Sequence, residues 1–198
     1  MNTSAFLDAL YITQKLSKRY GDVAFSEVHL FGYLGCLLAL YDGQGANFWD
    51  YIFVTGNSRA PYARELEDAM ESLMLNGLVS VTEAESEQFV KLTEAGAEEL
   101  EMLGTFGSYA DRMKYLKSSC ETILLVNLPD IRAAIRKEPS VAYSHKWNRN
   151  EALVSEGSNA LNVLYDQFDS LKTALQDKYT DMLIPAVTWI KFLEENRG

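Results

Sequence analysis

PYARELEDAMESLMLNGLVSVTEAESEQFVKLTEAG, residues 61–96, is the stretch on which the fold turns. Leu66, Met70, Leu73 and either Met74 or Leu75 recur at the spacing of a helix with one apolar face. Pro61 has the fixed φ that suits a first helical turn, so a helix is expected over residues 61–76. Gly77 supplies its stop. Leu78-Val-Ser-Val81 then reads as a strand, Glu83–Glu87 as a turn, and Gln88-Phe-Val-Lys-Leu92 as a returning strand. Thr93 caps a further helix, Glu94–Leu103, which Gly104 ends.

Upstream, Ser4 is a candidate cap for a helix of about four turns carrying Leu7, Leu10, Tyr11 and Leu16 on one face, with Gly21 at its end. Ser26 opens a second helix, with Glu27 near its positive end. From Val28 to Tyr41 this helix is apolar nearly all round and must be enclosed. Gly32 and Gly35 on it allow a neighbour to approach closely. The aromatic stretch Phe48–Val54 fits helix or strand equally well. The order helix, Gly-Leu-Val, strand, turn, strand, helix is that of a winged helix. The expected fold class is therefore mainly α with a small β-hairpin, an N-terminal winged-helix domain followed by a helical C-terminal domain.

Downstream, Ser108–Val126 places Tyr109, Met113, Leu116, Cys120, Ile123 and Leu124 at helical spacing. A short helix follows over Asp130–Lys137, ended by Glu138-Pro139, and residues 138–150 read as a polar-aromatic connector. Ser158 opens a long helical stretch with Leu161, Leu164, Tyr165, Phe168, Leu171, Leu175 and Tyr179. It is too short to be a coiled coil. Pro185 either kinks this stretch or begins a last helix with Trp189, Ile190 and Leu193.

The chain has 198 residues, 28 acidic against 18 basic, and a net charge of −10. Residues 1–104 hold 16 acids and 6 bases, whereas residues 105–198 hold 12 of each. The whole negative charge thus lies in the first half, and the switch coincides with Gly104-Thr-Phe-Gly107. Two modules, 1–104 and 105–198, are the simplest division. A polyanion does not favour wholesale binding to nucleic acid or anionic lipid. Cys36 and Cys120 do not make a disulfide framework, and no signal peptide or apolar run of membrane-spanning length is seen. A cytoplasmic protein that binds no membrane is expected.

No constellation for catalysis stands out. His29 and His145 have no companion at zinc-ligand spacing, and the cysteines belong to no CxxC, so no metal site is expected. Neither Gly56-Asn-Ser58-Arg-Ala60 nor Gly157-Ser-Asn-Ala160 matches GxSxG. The glycine pairs at 43/45 and 104/107 lack the remainder of a phosphate loop. No catalytic residue and no cofactor is assigned. A winged helix that reads DNA needs donors on its recognition helix and wing. Residues 60–76 instead carry Arg64 against Glu65, Glu67, Asp68 and Glu71, and the wing adds Glu83, Glu85 and Glu87. Glu65, Asp68 and Glu71, with the aromatics Tyr143 and Trp147, are therefore candidate protein-interaction residues. Residues 105–150 are the one net-basic stretch, at +4. Arg112, Lys114, Lys117, Arg132, Arg136 and Lys137 in it, with Lys146 and Arg149, are candidates for contact with nucleic acid or an acidic partner.

Trp49-Asp-Tyr51-Ile-Phe53, Ala60-Pro61-Tyr62-Ala63-x-x-Leu66 and Leu73-x-x-x-Gly77-Leu78-Val79 follow an apolar helix ending in Leu40-Tyr41. This run resembles the accessory middle components of ABC three-component systems, including Lamassu-type anti-phage defence. Those proteins often show Gly-Pro-Tyr/Phe-Ser where this chain has Ala60-Pro61-Tyr62-Ala63. Cys120–Pro129 and Ala133–Pro139 are similar in style, so the resemblance spans about residues 5–140. It implies a non-enzymatic adaptor or scaffold subunit between an SMC-like ABC ATPase and an effector nuclease, with DNA met only through the complex. Acidic winged-helix subunits of other SMC complexes are a looser analogy. The alternative is a winged-helix transcriptional regulator binding DNA as a dimer, with Arg59 and Arg64 as its nearest cations. An enzyme using His145 is a third expectation.

Overall fold

The computed structural model describes residues 2–56, 59–84, 87–104, 107–147, 151–176, 179 and 181–195. Helix α1 (Thr3–Tyr20) is capped by Asn2, whose side chain accepts from the Ala5 N–H at 2.9 Å. Ser4 is not the cap; it lies within the first turn and donates to Asp50 at 2.6 Å. Strand β1 (Val23–Ala24) runs directly into α2 (Phe25–Tyr41), where Glu27 reaches back to accept the Ala24 N–H at 3.1 Å. That bond starts the helix one residue before Ser26, which instead donates to Glu87.

Almost all of α2 is buried, as its all-round apolar sequence requires. A Cβ on Gly32 would lie 3.1 Å from Leu66, and one on Gly35 3.1 Å from both Trp49 and Leu116, so these two glycines set how closely neighbours approach. The aromatic stretch resolves as a 3-10 turn (Ala46–Phe48), an irregular run, and strand β2 (Val54–Thr55). Strand β2 pairs antiparallel with β3 (Pro61–Tyr62), Val54 opposite Tyr62. Pro61 therefore lies in a strand, where its missing N–H is tolerated at an edge, and helix α3 begins later, at Arg64–Leu75.

Helix α3 buries Leu66, Ala69, Met70 and Leu73, leaving Met74 and Leu75 exposed. Gly77 ends it at φ +69°. Strands β4 (Val79–Ala84) and β5 (Glu87–Leu92) form an antiparallel pair with Val81 opposite Val90. Strand β1 joins the other edge of β5, with Val23 opposite Val90, giving the sheet order β1-β5-β4. Thr93 caps α4 (Glu94–Leu103) by accepting from the Gly96 N–H. Gly96 packs against the Leu78 carbonyl so closely that a Cβ would stand 2.1 Å from its oxygen.

Helix α5 (Ala110–Glu121) lies along α2 and also touches α1. Its buried face is Arg112, Tyr115, Leu116, Ser119 and Cys120, while Leu124 beyond it is exposed. The expected Leu116, Cys120 and Ile123 are buried and Tyr109 and Met113 pack against the same core, but the face is widened toward the buried Arg112 and Tyr115. After α6 (Leu128–Arg136), residues 139–147 form helix α7 (Pro139–Trp147) rather than a connector. Pro139 opens this helix, and the buried Glu138 carboxylate accepts the N–H groups of Ser140 and Val141 at 3.0 and 2.9 Å. Helix α8 (Asn159–Leu175) stops where Gln176 turns left-handed, so Tyr179 lies beyond it, and Pro185 belongs to the start of α9 (Leu183–Glu195).

Among the described residues the protein is thus mainly helical, with a small three-stranded antiparallel sheet and a two-stranded one. One continuous cluster of buried apolar side chains runs from Ala5 to Leu193 and draws on both halves of the chain. Asn57, Ser58, Glu85, Thr105, Phe106 and Arg149, named in the sequence reading, lie outside the described residues.

The two glycines around the hairpin are held for different reasons and separate in a urea melt. Gly77→Ala is expected to cost about 1–2 kcal/mol, the penalty of a left-handed alanine. Gly96→Ala is expected to cost more, roughly 2–4 kcal/mol, because backbone must move to admit the methyl. Equal losses would mean that the Leu78 carbonyl yields freely.

Candidate protein-interaction site

Amphipathicity decides which residues α3 offers to solvent. Its apolar stripe faces α1, so Asp68 and Glu71 are exposed on the opposite side, followed one turn later by Leu75, which is 83% exposed. Glu65 is half-buried and lines a cavity of about 500 Å³ beside Asp50 and Glu156. Glu67 turns inward. His29 Nδ1 accepts the Ala63 N–H and its Nε2 donates to Glu67 at 3.2 Å, which holds the Glu67 carboxyl below its ordinary range. Both ring nitrogens of His29 are thereby engaged in a structural role.

Tyr143 and Trp147 sit one turn apart on α7, their ring centroids 6.3 Å apart. They are 38% and 55% exposed, and Lys146 lies over the Trp147 ring. The helix that the sequence reading missed therefore presents its aromatics as a pair rather than as isolated loop residues. His145 is exposed on the same helix.

The basic candidates do not form one free patch. Arg112 is the clearest correction: it is buried at 4% exposure and cannot meet a phosphate. Its guanidinium donates to both oxygens of Asp8 at 2.6–2.9 Å, and Tyr51 donates to the same carboxylate at 2.7 Å. The guanidinium carbon stacks 3.9 Å from the Trp49 ring centroid. Burial alone would lower the Arg112 pKa, but the Asp8 charge and hydrogen bonds more than reverse this.

The other cations are partly engaged. Lys114 donates to Asp42 at 2.8 Å, and Arg132 to Glu27 at 2.7 Å. Lys137 donates to the Glu194 carbonyl, and Lys117 stands 3.9 Å from Glu121. Arg136 is exposed beside a cavity of about 160 Å³ that Arg132 and Glu87 also line. The Lys114 and Arg132 bonds, with the Arg112–Asp8 pair, tie α5 and α6 to the acidic first half, whereas Lys117, Arg136 and Lys137 keep their charge toward solvent.

Both cysteines are buried, and burial pushes each thiol up to about 12. Among the described residues no group of three His, Cys, Asp or Glu side chains is placed to hold a metal ion, and no helix is long and apolar enough to cross a membrane. Comparison with protein-family models, curated proteins and solved structures finds no match to this chain.

The network that sequence reading did not assemble is Asp8–Arg112–Tyr51–Trp49. One signal for it lay in Phe6-Leu-Asp8-Ala-Leu10, an acid inside an apolar face. Such a residue must be paired when buried.

Removing one member of the pair strands its partner, so Asp8→Asn or Arg112→Met is expected to cost about 3–5 kcal/mol in a denaturant melt. The double change Asp8→Leu with Arg112→Met is expected to cost clearly less than the sum, because no buried charge is left over. Additive losses would rule out the direct pair.

Asp42 offers a pH test. Burial raises its carboxyl, but the hydrogen bonds from Lys114 and Tyr115 outweigh this and the net shift is downward. A lowered acid stabilises above its unfolded value and loses that contribution as pH falls through the folded one. Asp42→Asn is therefore expected to be less stable than the parent near neutrality, by no more than about 1 kcal/mol for so exposed a pair. The gap should close as pH drops below the ordinary aspartate range, and a gap independent of pH would count against the charge.

Proposed function

We propose that residues 3–103 form a winged helix and that the protein is a non-enzymatic adaptor subunit built on it. The support for the fold is topological: α1, β1, α2, α3, β4 and β5 follow in order, with the sheet arranged β1-β5-β4 and the β4–β5 hairpin at its edge. The irregular run and the short β2–β3 pair are then an insertion between α2 and α3.

The observation that carries the functional reading is the solvent face of α3. In a DNA reader this face supplies donors to phosphates and base edges. Here Arg64 stands at its start, but Asp68 and Glu71 follow it on the same stripe and leave the face net acidic, next to the 83% exposed Leu75. Carboxylates would meet phosphate repulsively, whereas carboxylates bordering an exposed leucine suit a protein surface. The Tyr143–Trp147 pair is a second contact of the kind that dominates protein interfaces. The resemblance to middle components of ABC three-component systems supplies the partner classes, an SMC-like ATPase and an effector nuclease in a bacterial anti-phage complex. DNA is then contacted only through that complex.

Co-expression with the products of the flanking genes tests this reading. A stable complex with a Walker-motif ATPase is expected. Its affinity should fall by about tenfold or more with Asp68→Lys, Glu71→Lys and Leu75→Glu together, since hot-spot and charge changes of this size are common at interfaces. A flat titration with duplex DNA at low salt is expected for the isolated protein. Absence of any complex would sink the adaptor, and salt-sensitive binding to a palindrome lost on Arg59→Glu with Arg64→Glu would establish the regulator instead.

A further inference from the structure

Trp49 carries a buried group that nothing in the protein satisfies. The Arg112 guanidinium carbon stacks 3.9 Å from its ring centroid, and a Cβ on Gly35 would stand 3.1 Å from its Cη2 and 3.4 Å from its Cζ2. With that face and the benzo edge covered, the rest of the indole lines the cavity of about 500 Å³ that Glu65 also lines, a volume usual for small-ligand sites. Trp49 is 2% exposed, and its N–H is buried without an acceptor. The Tyr51 oxygen feels this N–H but is not placed to take the bond, and Tyr51 gives its own proton to Asp8. A buried donor left unfilled is costly, and native proteins rarely keep one without a use.

The walls of the cavity come from separate parts of the chain. The irregular run after α2 contributes the buried Phe53 and the exposed Ile52, and α3 contributes Glu65. The connector between α7 and α8 is tied to that run by the Leu153 N–H, which donates to the Phe53 carbonyl at 2.8 Å, and contributes Val154 and Glu156. Asp50 adds a third carboxylate, already held by Ser4 and 4.0 Å from Arg112. Glu65 and Glu156 have no ion pair among the described residues, and no lysine or arginine is among the described residues lining the cavity. An anion is therefore repelled, and a purely apolar ligand would leave the indole donor unfilled. What fits is a cationic group for Glu65 and Glu156, a neutral acceptor for Trp49 and an apolar body for Ile52, Phe53 and Val154.

We infer that this cavity binds an amino-acid-sized primary amine whose ammonium lies close to a carbonyl, the chemistry shared by an amino-acid amide and the free N-terminus of a peptide. The ammonium is met by Glu65 and Glu156, the carbonyl oxygen accepts from Trp49 Nε1, and the apolar side chain lies on the aromatic run. A free amino acid is disfavoured, because its carboxylate would meet the acids of the wall. The site owes nothing to the exposed face of α3, so it stands or falls apart from the adaptor reading.

The experiment follows the indole N–H signals of Trp49, Trp147 and Trp189 by NMR of isotope-labelled protein, the first assigned by its loss in Trp49→Phe. Leucinamide is the probe. It is expected to shift the Trp49 signal saturably and to leave the other two in place. N-acetyl-leucinamide keeps the carbonyl and loses the charge, so it should bind about tenfold more weakly or worse, and leucine should also bind more weakly. Glu65→Gln with Glu156→Gln should lower leucinamide affinity about tenfold and flatten its salt dependence, with the Trp147 and Trp189 signals as a check on the fold. Asp68→Asn with Glu71→Gln should leave it nearly unchanged, which separates the cavity from the adaptor face. The peptide Leu-Ala-Ala amide tells the sources apart: tighter binding than leucinamide assigns a protein N-terminus, weaker binding a free amine. A Trp49 signal that leucinamide does not move, because water alone fills the donor, would overturn the inference. So would acetylated probe binding as tightly as leucinamide, or binding indifferent to the Gln pair.

Discussion

Arg112 is the constraint around which the two halves of the chain are arranged. A guanidinium at 4% exposure is tolerable only if its charge is met and its donors are filled. Asp8 meets it from the first helix, Tyr51 completes the carboxylate's shell, and Trp49 covers the planar face. The partners come from two segments, Asp8 from α1 and both Trp49 and Tyr51 from the irregular run after α2. The pair therefore dictates how α5 crosses α1 and where the irregular run after α2 must lie. Gly35 belongs to the same arrangement, since a Cβ there would press at 3.1 Å on both Trp49 and Leu116. A buried ion pair contributes little net stability against a hydrophobic equivalent. What it contributes here is register: an aspartate and an arginine 104 positions apart have one way to satisfy each other.

This arrangement changes the meaning of the charge asymmetry. The first half holds the whole net charge of −10, and the second half is neutral overall with a basic front. The structure turns that front toward the acids. Arg112 reaches Asp8, Lys114 reaches Asp42 and Arg132 reaches Glu27, so three of the basic candidates face carboxylates of the first half. The acidity left over is displayed on α3 and α4, where Asp68, Glu71, Glu94, Glu98 and Glu101 are exposed. Net charge alone would have spread repulsion evenly over the surface.

Residues 61–96 were legible because local chemistry there is strong and redundant. Gly77, Thr93 and the alternation of Val79, Val81 and Val90 each specify the same hairpin and helix ends, and the structure uses all of them. Elements that depend on distant partners were not legible. Strand β1 is two residues long and exists only because β5 lies beside it. Strands β2 and β3 are equally short, and their pairing displaced the helix start from Pro61 to Arg64. Pro139 has the look of a terminator in sequence yet opens α7, because the cap is the Glu138 carboxylate, an acid whose burial no periodicity reveals.

The same distinction separates the two kinds of candidate site. The acidic α3 face could be read directly, since helical periodicity assigns Asp68 and Glu71 to the side opposite Leu66 and Met70. The basic candidates could not, because the fate of Arg112, Lys114 and Arg132 depends on Asp8, Asp42 and Glu27, which lie far away in sequence. On α5 and α6 alone these cations are a basic front. Set against the first half they are partners of its carboxylates. The charges that a fold leaves exposed are therefore better guides to a partner than the total charge or the most charged segment.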